Sequence, residues 1–275
     1  MKEVSKIISE ILTRKNKNNI TVLTGAGISA ASGIPTYRGT DGIWIKGTEF
    51  HKPEVFGTLR FFLQHPEKVW QYTLFRKQMM EKALPNSGHI ALSKFEEKLG
   101  DTFNIITQNT DNLHRKVGHS NLFEIHGNYR EVLCSLNCDI VLPFPPEVKS
   151  KGIDEDLTPQ EIEMLKCPEC GHWLRPNILW FNETYNNKRH HFREVLKIAK
   201  NSGLLFVIGT SGSTNIPLEL VKTTLKYGGY VINVNIENNA FSNVISSYKK
   251  GLFIKADSST FLHETLTIIN AIRRS

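Results

Sequence analysis

The sequence predicts an α/β fold in which a parallel β-sheet is covered by helices on both faces. Short apolar runs rich in β-branched residues alternate along the chain with longer segments of helical periodicity. These runs are apolar throughout, as expected for strands buried on both faces. With 275 residues, of which 40% are hydrophobic, the chain can form a full core in one large domain.

The first segment of helical periodicity predicts an amphipathic helix over residues 3–14. Its apolar positions are Val4, Ile7, Ile8, Ile11 and Leu12. A helix lying on a membrane surface is the alternative, but the polar face mixes both charge signs, which favours packing on the core. The first strand is predicted at residues 20–23, after a polar loop.

The segment between Arg38 and Gly100 is too long for a tight connection between two strands. We therefore predict that part of it forms a helical module that walls a ligand cleft. Its helices are predicted at residues 53–63, 66–84 and 89–99.

The remaining strands end in polar residues. Strands are predicted at residues 103–107, 121–125, 204–208, 230–234 and 252–255, with helices at 187–202 and 217–227. The polar strand ends are Gly25-Ala26-Gly27, Gln108-Asn109, His126-Gly127, Gly209-Thr210-Ser211 and Asn235-Ile236-Glu237. Since ligands bind at the carboxyl ends of parallel strands, we predict a Rossmann-like sheet with its site at this edge.

The turn Gly25-Ala26-Gly27 predicts a phosphate cradle, because backbone N–H groups at a helix start attract anions. Glycines that only let a helix pack close to a strand are the alternative. The usual dinucleotide fingerprint is incomplete, since Ala30 stands where its third glycine is expected. Arg38, further along, can bind a phosphate or carboxylate bidentately.

The segment GAGISAASGIPTYRG, residues 25–39, resembles the cofactor-binding loop of the sirtuins, the NAD-dependent protein lysine deacylases. Tyr37 replaces the Phe of their motif. Further matches occur in the family's order over nearly the whole chain, at Gln108–Asp111, Glu124–Gly127, Trp180–Glu183 and Gly209–Ser211.

This resemblance implies catalytic roles for His126 and Asn109, with His126 as the general base that deprotonates a ribose hydroxyl of NAD. It implies that NAD is bound by Gly25, Ala26, Gly27, Ser29, Ile34, Pro35, Tyr37, Arg38, Trp44, Gln108, Asn109, Thr110, Asp111, Gly209, Thr210, Ser211, Asn235, Ile236, Glu237 and Ser258.

The implied reaction is removal of an acyl group, most simply acetyl, from a protein lysine. The acyl oxygen attacks the anomeric carbon of NAD as nicotinamide leaves, and the products are free lysine and O-acyl-ADP-ribose. ADP-ribosyl transfer to a protein side chain is one alternative. A catalytically silent NAD-binding sensor or scaffold is another, and a dehydrogenase is disfavoured by the incomplete glycine fingerprint.

The acylated peptide is expected to pair as an added strand with the segments at Phe181, Asn182, Glu183 and Gly212. Two departures affect these segments: Asn182 replaces the family's Gly, and one extra residue precedes Pro217. Family members that prefer acidic acyl groups carry a Tyr and an Arg one helical turn apart. Here Arg76 stands at the Arg position and Thr73 at the Tyr position, so Arg76 is either half of a carboxylate clamp or a solvated helix residue.

The four cysteines form two close pairs, Cys134 with Cys138 and Cys167 with Cys170, which predicts a structural tetrahedral zinc site. The first pair is one residue wider than usual, which leaves His172 as a substitute for Cys138. Residues 147–164, between the pairs, are predicted to be a mobile insertion.

The predicted domain is a single sirtuin-type catalytic unit over residues 1–275. Its large NAD-binding part comprises residues 1–40, 101–127 and 183–275, and its small part combines a helical module (41–100) with a zinc module (128–182). The net charge is +7, yet without an Arg-rich block we predict no nucleic-acid partner. No segment predicts a leader or a membrane span, so cytoplasmic residence is expected.

Overall fold

The computed structural model describes residues 1–36, 53–136 and 138–274. In chain order, the strands in these ranges are β1 Asn19–Thr24, β2 Phe103–Thr107, β3 Leu122–Glu124, β4 Gly127–Cys134, β5 Val141–Pro143, β6 Leu174–Ile178, β7 Ser202–Ile208, β8 Tyr230–Asn235 and β9 Gly251–Lys255. The α-helices are α1 Lys2–Thr13, α2 Pro53–Phe56, α3 Leu59–Gln64, α4 Pro66–Lys82, α5 Ser87–Leu99, α6 Leu113–Lys116, α7 Pro159–Met164, α8 Asn187–His190, α9 Phe192–Asn201, α10 Asn215–Lys226, α11 Ala240–Ile245 and α12 Ser258–Arg274.

The main sheet has six strands in the order β3-β2-β1-β7-β8-β9, and every pair is parallel. All seven residues of β7 are buried, because this central strand is covered on both faces. Leu204 and Phe206 pack on the side of α1, α5 and α12, whereas Leu205 and Val207 pack on the side of α9, α10 and α11. This arrangement confirms the predicted parallel sheet with helices on both faces.

Two predicted helices are interrupted in the structure. The helix predicted at 53–63 is divided between α2 and α3, because Thr58 is extended and its side chain accepts a hydrogen bond from Phe61 N, which caps α3. The helix predicted at 187–202 is divided at His191, which has a φ of 53°. The sequence pattern predicted neither α11 nor α12.

A second sheet lies beside the main one and is antiparallel, with the order β5-β4-β6. It shares one hydrophobic cluster with the helical segment, in which Trp70 of α4 donates a hydrogen bond from Nε1 to Leu174 O at 2.9 Å. The helical and cysteine-bearing segments therefore pack together around one core.

The segment 147–164 is packed rather than loose. Val148 is 1% exposed and belongs to the hydrophobic cluster shared by the two segments. Thr158 and Glu161 form a capping box at the start of α7, and Glu161 also pairs with Lys151 at 3.1 Å. This packing contradicts the predicted mobile insertion. Among the described helices, none combines the length and the apolarity that crossing a bilayer requires.

Candidate active site

A cavity of about 1100 Å³ lies between the carboxyl edge of the main sheet and the small sheet with its helices. Residues that follow each of the six parallel strands line it, which is where an open parallel sheet binds its ligands. The opposite wall comes from α4, β4, β6 and the segment around Trp180. The carboxyl edge of the sheet, where the sequence predicted a ligand site, therefore forms one wall of a cavity.

Most of the residues predicted for the site line this cavity. They are Gly25, Ala26, Gly27, Arg76, Gln108, Asn109, Thr110, His126, Phe181, Glu183, Gly209, Thr210, Ser211, Asn235, Ile236, Glu237 and Ser258. The described residues that line it do not include Ser29, Ile34, Pro35, Asp111, Asn182 or Gly212. Tyr37, Arg38 and Trp44 lie outside the described residues.

The glycines of the first turn are required by close packing. A Cβ on Gly27 would lie 2.6 Å from Gly209 Cα, and one on Gly25 would lie 2.5 Å from Thr210 Cβ. Gly27 N–H donates to Gly209 O at 2.8 Å, and Gly25 N–H donates to Ile208 O at 3.0 Å. These two amides are therefore hydrogen-bonded within the protein and do not point at a ligand. At these positions the glycines serve close packing of the turn, the alternative to a phosphate cradle.

The short 3₁₀ helix Ala26–Ser32 that follows this turn buries Ser29 completely. Ser29 Oγ donates to Asp111 Oδ2 at 2.6 Å and accepts from Asn109 Nδ2 at 3.2 Å. Asn109 Nδ2 also donates to Gly25 O at 3.1 Å. Ser29 and Asp111 thus lie behind the described cavity wall, where their hydrogen bonds fix the orientation of Asn109. Their direct contact with NAD stays a prediction.

Burial raises the pKa of Asp111, and hydrogen bonds from Ser29 and the Leu113 N–H partly offset that rise. The charge of Arg76 acts in the same direction as these hydrogen bonds. Arg76 itself is 3% exposed on α4, so it is not a solvated helix residue. It lines the cavity together with Thr73 and Tyr72, of which Tyr72 supplies the aromatic ring near that wall.

His126 lies in the cavity wall immediately before β4 and is partly buried. Burial lowers its pKa to about 4, and a hydrogen bond to the Gln108 backbone acts in the opposite direction. The imidazole is therefore neutral near pH 7 and offers a lone pair as a base. Its Nε2 lies 2.7 Å from the hydroxyl of Tyr185, a residue that the sequence analysis did not single out.

A set of amide and hydroxyl side chains organises the other end of the cavity. Gln108 Nε2 donates to Thr210 Oγ1 at 2.7 Å, and both Asn235 and Asn239 donate to Thr210 O at 3.0 Å. Glu237 is exposed at the rim beyond them. Asn239 lies four residues after Asn235 and caps α11, and it was missed because a cap residue carries no separate binding signal.

The segment expected to contact a peptide is held by its own hydrogen bonds. Phe181 is 53% exposed and its N–H donates to Gly57 O at 3.0 Å. Asn182 Oδ1 accepts from Leu59 N at 3.2 Å, so this side chain links the segment to the start of α3. Glu183 pairs with Arg175 at 2.5 Å, which indicates that it stabilises the loop.

The four cysteines form one cluster in which all Sγ atoms lie within 4.8 Å of one another. A tetrahedral zinc–thiolate site, with Zn–S bonds of about 2.3 Å, spaces its sulfurs about 3.8 Å apart. Cys134 Sγ and Cys170 Sγ are 3.6 Å apart, so the cluster fits zinc. Cys138 belongs to it despite the wider spacing, whereas His172 Nδ1 lies 3.1 Å from Cys170 O.

The thiols of the cluster also have the electrostatics of a metal site. The backbone of His172 lowers the pKa of Cys170 to about 6, which favours a thiolate. A hydrogen bond to Cys170 and desolvation raise the pKa of Cys138, and the charge of Cys134 acts in the same direction. A divalent ion would favour the thiolate form of these cysteines.

Comparison with known proteins places this fold and site in a family. The model of the Sir2 family matches residues 25–215, and the chain belongs to the Sir2 family. An NAD-dependent protein deacylase from Pyrococcus abyssi is 34% identical over 249 residues, covering 90% of this chain and 92% of that protein. One from Pyrococcus furiosus is 35% identical over 250 residues, covering 90% and 92%.

Solved structures agree with this assignment. A mutant Sir2 homologue bound to ADP-ribose aligns with a TM-score of 0.80 and 28% identity, covering 100% of this chain and 98% of that one. A Sir2 homologue bound to NAD aligns with a TM-score of 0.78 and 28% identity, covering 100% and 94%. A complex of Sir2 with a p53 peptide and NAD+ aligns with a TM-score of 0.75 and 28% identity, covering 97% of each chain.

Proposed function

We propose that this protein is an NAD-dependent protein lysine deacylase. The observation that carries the proposal is that His126, Asn109 and the Gly25–Gly27 turn line a single cavity. That cavity continues to Phe181 and Arg76, where a second substrate can enter. The family's deacylases and their complexes with NAD and with peptide support the same function.

The described cavity has a volume of about 1100 Å³ and is lined along the sheet edge by amide, hydroxyl and carboxylate side chains, so it can hold a dinucleotide such as NAD. The residues that would hold it are those at the carboxyl edge of the main sheet, with Glu237 and Asn235 at the adenosine end and Gln108 and Asn109 at the nicotinamide riboside end. When bound, NAD supplies an anomeric carbon that accepts the acyl oxygen as nicotinamide leaves. The large part of the predicted domain thus binds NAD, and the small part closes the cavity over it.

The chain's own residues orient and deprotonate the reactants. Asn109, fixed through Ser29 and Asp111, holds the ribose in one orientation and displaces water from it. His126 is neutral and accepts the proton of a ribose hydroxyl, which then attacks the acyl group. Trp180, which is 4% exposed, and Phe181 help to exclude bulk water from this end of the cavity.

The partner in this reaction is an acyl-lysine in a protein or peptide, with acetyl as the simplest acyl group. The peptide adds a strand beside the exposed Phe181 and the segment at Gly212. Arg76, buried in the wall beside Thr73, makes a carboxylate-bearing acyl group a second candidate. The reaction transfers the acyl group to ADP-ribose and releases lysine hydrolytically, so both transferase and hydrolase describe it.

Zinc has a structural role in this proposal. Four thiolates fill a tetrahedral coordination shell and leave no position for substrate. Cys134, Cys138, Cys167 and Cys170 would hold the ion and fix the small sheet against α4. Thiols that are kept free for a metal favour a reducing compartment, and we place the protein in the cytoplasm.

The test is a panel of acetyl-, succinyl- and longer acyl-lysine peptides incubated with NAD and analysed by mass spectrometry. Wild type is expected to yield unmodified lysine and O-acyl-ADP-ribose, and His126→Ala is expected to lose that product. Arg76→Met is expected to reduce turnover of the succinyl peptide more than that of the acetyl peptide. A peptide adduct that carries ADP-ribose would instead indicate ADP-ribosyl transfer, and absence of nicotinamide release would indicate a silent NAD-binding protein.

A further inference from the structure

The hydroxyl of Tyr185 contacts the proposed base directly. Its oxygen lies 2.7 Å from His126 Nε2, and the two ring centroids are 5.8 Å apart. Tyr185 lines the cavity and follows the Trp180–Glu183 segment by two residues. None of the roles assigned above uses this hydroxyl.

The direction of this hydrogen bond follows from the other contact of the imidazole. A hydrogen bond to the Gln108 backbone raises the pKa of His126, so a ring N–H donates to that carbonyl. Because Nε2 faces Tyr185, the donating nitrogen is Nδ1, and Nε2 carries the lone pair. Burial raises the pKa of Tyr185 to about 12, so the phenol keeps its proton and donates it to Nε2.

Tyr185 is held in this position from three sides. Its hydroxyl hydrogen-bonds to the side chain of Thr214, and its ring meets the buried His190 edge-on at 5.8 Å. The next residue, Asn186, caps α8 by accepting from Arg189 N at 2.9 Å, and Asn186 N donates to His190 Nδ1 at 3.0 Å. The hydroxyl is therefore a fixed part of the site.

We propose that Tyr185 is a catalytic residue whose hydroxyl relays the proton of the reacting ribose hydroxyl to His126. The ribose O–H bond breaks as its proton binds the Tyr185 oxygen, and the original phenolic O–H bond breaks as that proton binds Nε2. Tyr185 is neutral before and after the step, and His126 becomes an imidazolium. The ribose oxygen forms the new bond to the acyl carbon as the π bond between that carbon and the lysine nitrogen breaks and its electron pair moves to the nitrogen. This inference rests on the deacylase function proposed above.

If Tyr185 only blocked His126, removing its hydroxyl would increase deacylation, whereas the relay predicts a decrease. If the hydroxyl only occupied the lone pair of His126 until substrate displaced it, removing the hydroxyl would free the base. The relay predicts that the same change removes the path of the proton. Tyr185→Phe separates the two cases, since it keeps the ring and its packing on His190.

The first measurement needs no activity. The protonation of His126 in the ligand-free protein is followed by NMR in wild type, Tyr185→Phe and Tyr248→Phe. A donor to the neutral imidazole lowers its pKa, so the His126 pKa is expected to rise in Tyr185→Phe. Tyr248 is exposed and does not belong to the described cavity wall, so Tyr248→Phe is expected to match wild type.

The second measurement compares two steps of the reaction. Deacylation by Tyr185→Phe is expected to fall about 100-fold in kcat, within the range of general acid–base catalysis. Exchange of labelled nicotinamide, which reports bond cleavage before the base acts, is expected to persist. Unchanged deacylation with an unchanged pH profile would overturn the relay, as would nicotinamide release that increases without an acyl peptide. If wild type itself binds NAD but deacylates none of the peptides, the proposed function fails first.

Discussion

Ser29 and Asp111 form a buried hydrogen bond of 2.6 Å behind Asn109, and neither side chain belongs to the described cavity wall. Ser29 Oγ is at the same time 3.2 Å from Asn109 Nδ2. Two residues for which the sequence resemblance implies contact with NAD therefore also support the side chain of a third residue, Asn109. The stability of this support can be tested without any substrate.

Ser29→Ala is expected to lower the free energy of unfolding by about 1–3 kcal/mol, because it leaves a buried carboxylate with one donor fewer. The pKa of Asp111 should rise further, since the Ser29 hydrogen bond lowers it. Denaturant unfolding measures the change in stability, and the pH dependence of that stability reports the change in the Asp111 pKa. Ser246→Ala, the same change at an exposed site, is the control. Equal stability of the two variants would show that the support is not needed.

Gly27→Ala is expected to prevent the first turn from docking on the end of β7. Its Cβ would lie 2.6 Å from Gly209 Cα, and a backbone neighbour cannot rotate away. Overpacking of this kind costs about 1–3 kcal/mol, and NAD affinity should fall with it. In Gly152→Ala the nearest atom is Glu155 Oε1 at 2.7 Å, the end of a flexible side chain. That variant should retain NAD affinity in calorimetry, and a similar loss in both would contradict the packing argument.

The loss of deacylation activity at low pH should report the protonation of His126. Burial lowers its pKa to about 4, so the neutral base persists well below the ordinary histidine pKa of about 6.5. Deacylation measured from pH 8 downward is therefore expected to retain its kcat/KM through about pH 6 and to decline near pH 5 or below. A half-maximal point above pH 6.5 would contradict this assignment of the base.

The stability of the fold should also depend on pH, because three buried histidines, His89, His114 and His190, bind protons less readily in the folded protein than in the unfolded chain. Burial lowers the pKa of His89 and of His190 to about 4 and that of His114 well below its ordinary value. The unfolded chain therefore binds more protons below about pH 6.5, and stability falls as pH drops from 6.5 towards 4. Each histidine contributes up to about 1.4 kcal/mol per pH unit over that window.

His89→Gln tests this dependence, because it removes one of the three groups and leaves a polar side chain. The slope of unfolding free energy against pH, measured by denaturant titration between pH 6.5 and 4.5, should decrease relative to wild type. His263→Gln, at an exposed position of α12, should keep the wild-type slope. The slope is informative even if His89→Gln is less stable at every pH.

Cys138→Ser and His172→Ala distinguish the fourth ligand of the metal cluster. Cys138 Sγ belongs to the group of sulfurs within 4.8 Å, so Cys138→Ser is expected to lower both the zinc content and the temperature of unfolding. His172 is exposed, and His172→Ala should retain zinc. Elemental analysis after dialysis measures the metal. Retention of zinc by Cys138→Ser together with its loss from His172→Ala would reverse the assignment.

The fold was predictable where local pattern and burial agree. The strands of the parallel sheet were predicted because each is an apolar run, and β2 was predicted at its observed bounds, Phe103–Thr107. The interruptions at Thr58 and His191 were not predictable, because each depends on one residue whose backbone conformation is fixed by its neighbours. The long α12 was missed, although its apolar residues pack on α1 and α5.

The sequence by itself determined the class of fold, the set of polar strand ends and the four thiols, because these follow from periodicity, residue type and spacing. Only the tertiary structure decided that Ser29 supports Asn109 from behind, that Arg76 is buried in the cavity wall and that Tyr185 contacts His126. Tyr185 and His126 are 59 residues apart in the chain. Such contacts depend on how separate elements pack against one another, and the local sequence around each residue carries no record of that packing.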